Sequence, residues 1–229
     1  MSELCVTCNA GLVDKSKKIV SYKLCFDFVD VVYLFCVGGF LGTAYEIILT
    51  LCMRGLLEDR SGSILTPFNY VYGVGAVIIL LVLYRVRNGW ALFVLGSFFG
   101  GVVEYALSCF QEVFLGCRSW DYSARPLNIG GRTTVPYMLV WGVLCFGAIR
   151  FLFPALLRLM HLIPAKIGKI ICRILLIVLA ADIALTLAAV VCYVQRSGGT
   201  ESTNWFTQLM GSVFSDTFMS IHFPNMMIN

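Results

Sequence analysis

The chain has 229 residues, of which 59% are apolar and only 13% charged, and its formal net charge is +4. Soluble domains average roughly 45–50% apolar and about 25% charged residues. This composition therefore excludes a soluble domain carrying a membrane anchor, and it leaves no stretch for a second globular unit. Apolar runs of about 18 residues or more recur along the chain, and each is a candidate membrane span.

The N-terminal segment, residues 1–30, is basic and leads into a long hydrophobic run without an A-x-A-like cleavage site, so the first span is expected to be retained. Cys5 and Cys8 form a lone CxxC with no second pair and no histidine nearby, a weak signal for metal or redox use. Seven of the ten cysteines (Cys25, Cys36, Cys52, Cys109, Cys145, Cys172 and Cys192) lie in spans or at their ends, where free cysteine behaves as a small hydrophobe. The only histidines are His161 and His222, which argues against haem or a histidine-built zinc centre. No cofactor, no metal and no nucleic-acid partner is expected.

Five spans are expected, at about 31–53, 69–86, 91–114, 134–153 and 174–195. Lys15, Lys17, Lys18, Lys23, Arg85, Arg87, Arg150, Arg158, Lys166, Lys169 and Arg173 then fall on one side, eleven in all. Arg54, Arg60, Arg118, Arg125, Arg132 and Arg196 fall on the other. The positive-inside rule puts the N-terminus in the cytoplasm and the C-terminus outside. Residues 152–172 interleave Leu, Met and Ile with basic residues and read as an interfacial amphipathic helix on the cytoplasmic face. Residues 196–229 form an outer tail whose Phe206, Leu209, Met210, Val213 and Phe214 sit at helical spacing, to lie on the membrane or on the protein.

An internal duplication organises the middle of the chain. VGGFLGTAYEI at 37–47 aligns without gaps on LGSFFGGVVEY at 95–105, an offset of 58, and PFNYVYG at 67–73 matches PYMLVWG at 136–142, an offset of 69. Each unit reads as a Gly-rich span with one glutamate, an outer loop, and a proline-led span. Repeat 1 covers about 31–86 and repeat 2 about 91–153, and two spans per unit make the repeats parallel. Steps of four give Gly38, Gly42, Glu46, Thr50, Arg54 and Gly96, Gly100, Glu104, Ser108, Glu112. Glycines four apart allow close helix approach, so the first and third spans are expected to pack together and direct Glu46 and Glu104 inward. Arg54 and Glu112, equivalent in place and opposite in sign, are a candidate pair. A carboxylate at membrane depth costs about 2.5–3.5 kcal/mol on insertion scales. Two at matched places need either structural partners (Arg54, Arg132, Tyr72 or Trp141) or a purpose as a cation, proton or polar-substrate site.

The pattern G-x3-E, then Arg54-Gly55, then Pro67, Tyr72 and Gly73 resembles the first half of the type IV, CmpB-like ABC-transporter permease family. The second half continues with Glu104-Tyr105, WDYS at 120–123, Pro126, Asn128, Gly131-Arg132 and Trp141-Gly142. The resemblance covers about residues 31–153, and the first loop, LLEDRSGSILTP, is longer than the family's usual form. It implies a membrane transport component. No Walker A motif is present, so ATP use implies a separate ATPase subunit, and five spans are few for a half-transporter, which implies a homo- or hetero-oligomer.

The loop 116–133 gathers Arg118, Trp120, Asp121, Tyr122, Arg125, Asn128 and Arg132. Such a set suits an anionic headgroup or a sugar, or else an Asp121–Arg132 pair with Trp120 and Tyr122 as interfacial anchors. Asn128 opens a turn before the fourth span. Asp182, in the fifth span, is a third acid, expected to face the bundle.

The expected fold is all-α, a polytopic membrane helix bundle. The expected function is a transport or permease component of the cytoplasmic (inner) membrane, in contact with membrane lipid. Its candidate substrate-binding residues are Glu46, Arg54, Tyr72, Glu104, Glu112, Trp120, Asp121, Tyr122, Asn128, Arg132 and Trp141. Two alternatives stay open. One is a membrane-embedded enzyme acting on a lipid-linked substrate, against which stand the missing H-E-x-x-H and nucleophile-elbow motifs. The other is a non-catalytic assembly partner in which both acids are structural.

Overall fold

A computed structural model describes residues 4–8, 22–199 and 204–228. Strands β1 (Leu4–Cys8) and β2 (Tyr22–Phe26) form an antiparallel hairpin ahead of the first helix. The Cys5–Cys8 pair lies on β1, and its side chains fall outside what is described.

Helix α1 (Phe28–Arg54) starts at a capping box. Asp27 Oδ1 accepts from the Val29 and Asp30 amides, and Asp30 Oδ2 accepts from the Asp27 amide, so the first orphan N–H groups are satisfied. The helix stops at Gly55, whose φ of 68° is left-handed. Helix α2 (Tyr70–Leu83) is capped by Asn69, and α3 (Gly89–Leu115) by Asn88. Gly116 ends α3 at φ 67°, repeating Gly55. Two-residue strands β3 (Cys117–Arg118), β4 (Asn128–Ile129) and β5 (Thr133–Thr134) punctuate the next loop, with β4 and β5 paired.

Helix α4 (Val135–Met160) begins at Thr134 with Pro136 in its first turn, where a missing N–H costs nothing. It widens into a π turn over Ala148–Leu152. The turn ends two residues before Pro154, which offers no N–H to the ladder, and a proline ring inside a helix crowds the carbonyl four residues back. Helix α5 (Ala165–Ser197) follows, then α6 (Trp205–Val213), α7 (Asp216–His222) and β6 (Met227–Ile228), which pairs with β3.

The chain is thus an all-α membrane helix bundle. Four helices, α1, α3, α4 and α5, are long and apolar enough to cross a bilayer. The second expected span holds the 14-residue α2, about 21 Å of helix at 1.5 Å per residue against a hydrocarbon core of about 30 Å. Large apolar side chains such as Ile48, Val94, Phe98, Val143 and Ile177 point outward, while Thr43, Ser97, Glu104, Ser108, Asp182 and Thr186 are buried. This inside-out distribution suits lipid as the solvent.

Two expectations are corrected here. Residues 152–172 do not form a separate interfacial helix. Residues 153–160 continue α4 with Phe153, Pro154 and Leu157 buried, and 165–172 begin α5 after a break held by Pro164. Nor do the glycine stripes join α1 to α3. A Cβ on Gly38 would lie 2.6 Å from Ala76 Cβ, and one on Gly42 2.3 Å from Tyr72 Cβ; on Gly96 and Gly100 it would meet Cys145 Cβ at 2.6 Å and Trp141 Cβ at 2.4 Å. The stripes therefore seat α1 on α2 and α3 on α4, each within its own repeat. The partners Ala76 and Cys145, like Tyr72 and Trp141, are themselves 69 apart, so the two hairpins are built alike. The two repeats meet mainly where α2 runs into α3.

Both repeat loops and the tail gather at one end of the bundle. There Met210, Phe214 and Met219 pack with Cys117, Ala189, Val190 and Cys192. At the opposite end Leu34, Leu80, Leu83, Leu92, Ile149 and Phe153 form the main core.

Candidate functional site

The close approach at Gly42 and Gly100 sets Tyr72 and Trp141 against the glutamate-bearing helices one turn below Glu46 and Glu104. The Tyr72 hydroxyl donates to Glu46 Oε1 at 2.6 Å. Glu104 is 7% exposed. Its Oε1 accepts from the Tyr122 hydroxyl at 3.2 Å and its Oε2 from the Thr133 hydroxyl at 2.7 Å, and the Trp141 indole also donates toward it. The two repeats converge here. Tyr72 and Trp141 rings stand 5.7 Å apart, Tyr122 and Tyr137 stand 4.9 Å apart, and Glu46 lies within electrostatic reach of Glu104. Among the described residues, no lysine, arginine or histidine forms an ion pair with either glutamate.

The arginines are engaged one turn further toward the loops. Thr50 and Ser108 follow the glutamates by four residues and accept from Arg60 Nε at 3.1 Å and Arg132 Nη1 at 3.2 Å. Arg60 pairs with Glu58 at 2.8 Å. Arg132 pairs with Glu112, which Arg118 also approaches at 3.9 Å, and its guanidinium lies over the Tyr105 ring. Each repeat thus carries a guanidinium clamp between its loop and its first helix. Arg54 lies at the margin, 3.9 Å from Glu58, so Glu58 rather than Glu112 takes it up, and Glu112 goes to Arg132.

The WDYS segment is a turn that supports the clamp. Trp120 Nε1 donates to the Arg132 carbonyl at 2.8 Å, and the Tyr122 amide to the Gly131 carbonyl at 2.7 Å. Asp121 does not reach Arg132; its Oδ1 accepts from the Ser123 hydroxyl at 2.6 Å and amide at 2.9 Å. Asn128 donates to the Ser123 and Arg125 carbonyls and accepts from the Gly131 amide. Gly131 sits at φ 68°, and a Cβ there would lie 2.3 Å from Ser123 Oγ, so only glycine fits.

Burial first, then the Glu104 carboxylate, pushes the Tyr122 hydroxyl far up, so it stays a donor at physiological pH. The Ser123 hydroxyl and amide hold Asp121 below the usual aspartate range. A lowered folded-state value means that this contribution is present above the unfolded value and is lost as pH falls through the lowered one. Acidification is therefore expected to loosen the 121–125 turn, read as faster amide exchange at Ser123, with no such change in Asp121→Asn.

Asp182 is fully buried and anchors the first loop to α5. It accepts from the Leu65 amide at 3.0 Å, the Thr66 hydroxyl and the Thr186 hydroxyl at 3.2 Å. Of the sequence candidates, Glu46, Tyr72, Glu104, Tyr122 and Trp141 come together. Arg132 and Glu112 clamp above them, Trp120, Asp121 and Asn128 shape the loop, and Arg54 stands apart. Arg60, Thr133 and Tyr137 were missed. The available signal for Arg60 was the hydroxyl pair Thr50 and Ser108, equivalent in the repeat and each awaiting a loop donor.

Residues 33–187 match the model of the family described as putative ABC-transporter type IV. This is more than half of the chain, and it extends past the quoted motifs to take in Asp182. No curated protein and no solved structure matches the chain. The sequence motifs, the duplicated hairpins and this match agree: the chain belongs to the ABC-transporter type IV family and is a multi-pass membrane transport component.

Proposed function

We propose that this transport component meets its substrate from the loop end, at a site built on Glu46 and Glu104 and walled by Tyr72, Tyr122, Tyr137 and Trp141. The observation that carries the reading is the missing counter-charge. Both acids sit at matched positions in apolar helices with neutral donors as their partners, while Arg54, Arg60 and Arg132 are taken up by Glu58 and Glu112. Neutral donors satisfy oxygen lone pairs but do not cancel charge at membrane depth. A positive charge brought by the substrate or by a co-transported ion completes the site, and aromatic faces add to its binding.

In this reading the loop end is extracytoplasmic, the N-terminus is inside and α2 completes five spans of an inner-membrane protein. Residues 1–30 are a cytoplasmic segment, 31–195 the transmembrane domain and 196–229 an outer tail. The opposite end, with Arg85, Arg87, Arg150, Arg158, Lys166, Lys169 and Arg173, faces a separate ATPase subunit. A second copy supplies the other half of the transporter.

The test uses the purified protein in lipid nanodiscs and thermal shifts with panels of cationic, anionic and neutral small molecules. A cationic ligand at a hundred times its Kd stabilises by about 2.7 kcal/mol. That shift is expected in the wild type and not in Glu46→Gln/Glu104→Gln, whose ligand-free Tm stays near the wild-type value. Equal stabilisation of the double variant, or binding by anions alone, refutes the reading.

A further inference from the structure

The C-terminal tail carries little charge. Residues 204–228 hold no lysine or arginine and a single acid, Asp216, which Arg196 of α5 pairs at 2.8 Å. At about 3.6 residues per turn, α6 and the residue that follows it divide into three parts. Thr207, Met210, Gly211 and Phe214 lie on one arc, where Met210 and Phe214 are buried on the bundle. Trp205, Phe206, Leu209 and Val213 lie on the neighbouring arc and are exposed, Trp205 at 74%. Gln208 and Ser212 make the remaining, polar edge. On α7, Ile221 is likewise exposed while Met219 is buried. The bundle thus covers one of two apolar arcs.

The covered arc also fixes the depth of α6. Met210 and Phe214 pack on Ala189, Val190 and Cys192, with Tyr193 and Val194 beside them. These residues belong to the last two turns of the stretch between Arg173 and Arg196, in which Asp182 is the single charge. That stretch of α5 is about 33 Å long at about 1.5 Å per residue, which matches a hydrocarbon core of about 30 Å. Helix α6 therefore lies at the boundary between acyl chains and headgroups rather than clear of it. Val113 and Phe114 at the end of α3 and Leu187 of α5 are exposed as well, so the bare arc extends a surface already turned to lipid.

We propose that α6 is an interfacial strap, with Trp205, Phe206, Leu209 and Val213 seated in the acyl-chain boundary of the bilayer. Lipid is the occupant that fits this composition. An aromatic-led apolar arc beside a polar edge suits the headgroup level, and without lysine or arginine it binds through apolar area and needs no anionic lipid. One helix thus uses both surfaces open to the tail, the protein on one arc and the membrane on the other. The strap reaches the loops of both repeats. Strand β6 pairs with β3 of the second loop, and His222 lies against the first, with Nε2 2.9 Å from the Ser63 carbonyl and Nδ1 3.1 Å from Asp59 Oδ2. Seating α6 in the interface holds these loops at a fixed depth beside the two glutamates.

The test uses the full chain in nanodiscs of zwitterionic phosphatidylcholine and needs no ligand at the glutamates. The emission of Trp205 is read as the difference between the wild type and Trp205→Phe, which alters an exposed ring and leaves the packed arc intact. Lipid brominated near the top of its acyl chains is expected to quench most of that difference signal, and aqueous acrylamide little of it. Quenching by acrylamide and not by brominated lipid places the arc in water, and protection from both places it under another protein chain; either result overturns the strap. Leu209→Asn/Val213→Asn changes the bare arc without touching Met210 or Phe214. Measured against the same variant with Trp205→Phe, it is expected to lose most of the bromine quenching and to gain acrylamide quenching, while amide exchange in α3 stays at the wild-type level. Bromine quenching undiminished in that variant equally overturns the proposal.

Discussion

Gly100→Ala is expected to destabilise the α3–α4 hairpin by about 1–3 kcal/mol, the usual cost of overpacking a filled interface. The new Cβ would sit 2.4 Å from Trp141 Cβ and 2.6 Å from its Cγ. These atoms are next to the backbone and cannot swing aside, so helix α4 itself must shift. The shift also moves the Trp141 indole away from Glu104, so the site is distorted along with the packing. Gly75→Ala is the matched control: no atom lies within 4 Å of its Cβ, and removing a helical glycine is worth about 0.8–1.0 kcal/mol in propensity alone. Thermal unfolding of both variants in nanodiscs should place them on opposite sides of the wild type. A Gly100→Ala protein as stable as the wild type would show that α3 and α4 do not make this approach.

Asp182→Ala should cost more, and its effect should appear far away in sequence. The substitution leaves the Leu65 amide without its acceptor and removes the carboxylate bonds of the Thr66 and Thr186 hydroxyls, which keep contacts to Ser63 Oγ and the Ile64 amide, and a hydrogen bond to a charged group is worth about 1.5–3 kcal/mol. The first loop should then lose its hold on α5, seen as faster amide exchange over residues 61–68 together with a lower Tm. Asp182→Asn keeps the shape and an acceptor for the Leu65 amide, and the Thr66 hydroxyl can rotate to match it, so its loss should be a fraction of that seen with alanine. If Asp182→Ala left exchange in the loop unchanged, Asp182 would not be its anchor.

Much of the fold was legible in the sequence because lipid imposes simple demands. Apolar length marks the long helices, whereas their caps at Asp27, Asn69, Asn88 and Thr134 emerge only in the structure. The α2 segment was legible as apolar, yet its 14 helical residues fall short of a span by themselves. The candidate site was legible in its acids, since a carboxylate in an apolar run always calls for a reason. Its partners were legible only in part. Tyr72 and Trp141 stood out through the repeat, whereas Thr133 and Arg60 come from loops whose lengths differ between the two units, so no alignment brings them into register.

The sequence by itself determined that this protein is an all-α membrane bundle with a duplicated hairpin, carries two matched acids and belongs to a transporter family. Those properties are local or periodic, and composition, spacing and motif record them directly. Tertiary structure decided which helix each glycine touches, which oxygen each arginine holds, and that His222 meets Asp59 across more than 160 residues of chain. A glycine states only that something comes close, and a charge states only that it wants an opposite. Which neighbour answers is settled by the packing of the whole bundle, where Glu58 and Glu112 claim the arginines and leave Glu46 and Glu104 to hydroxyls and an indole.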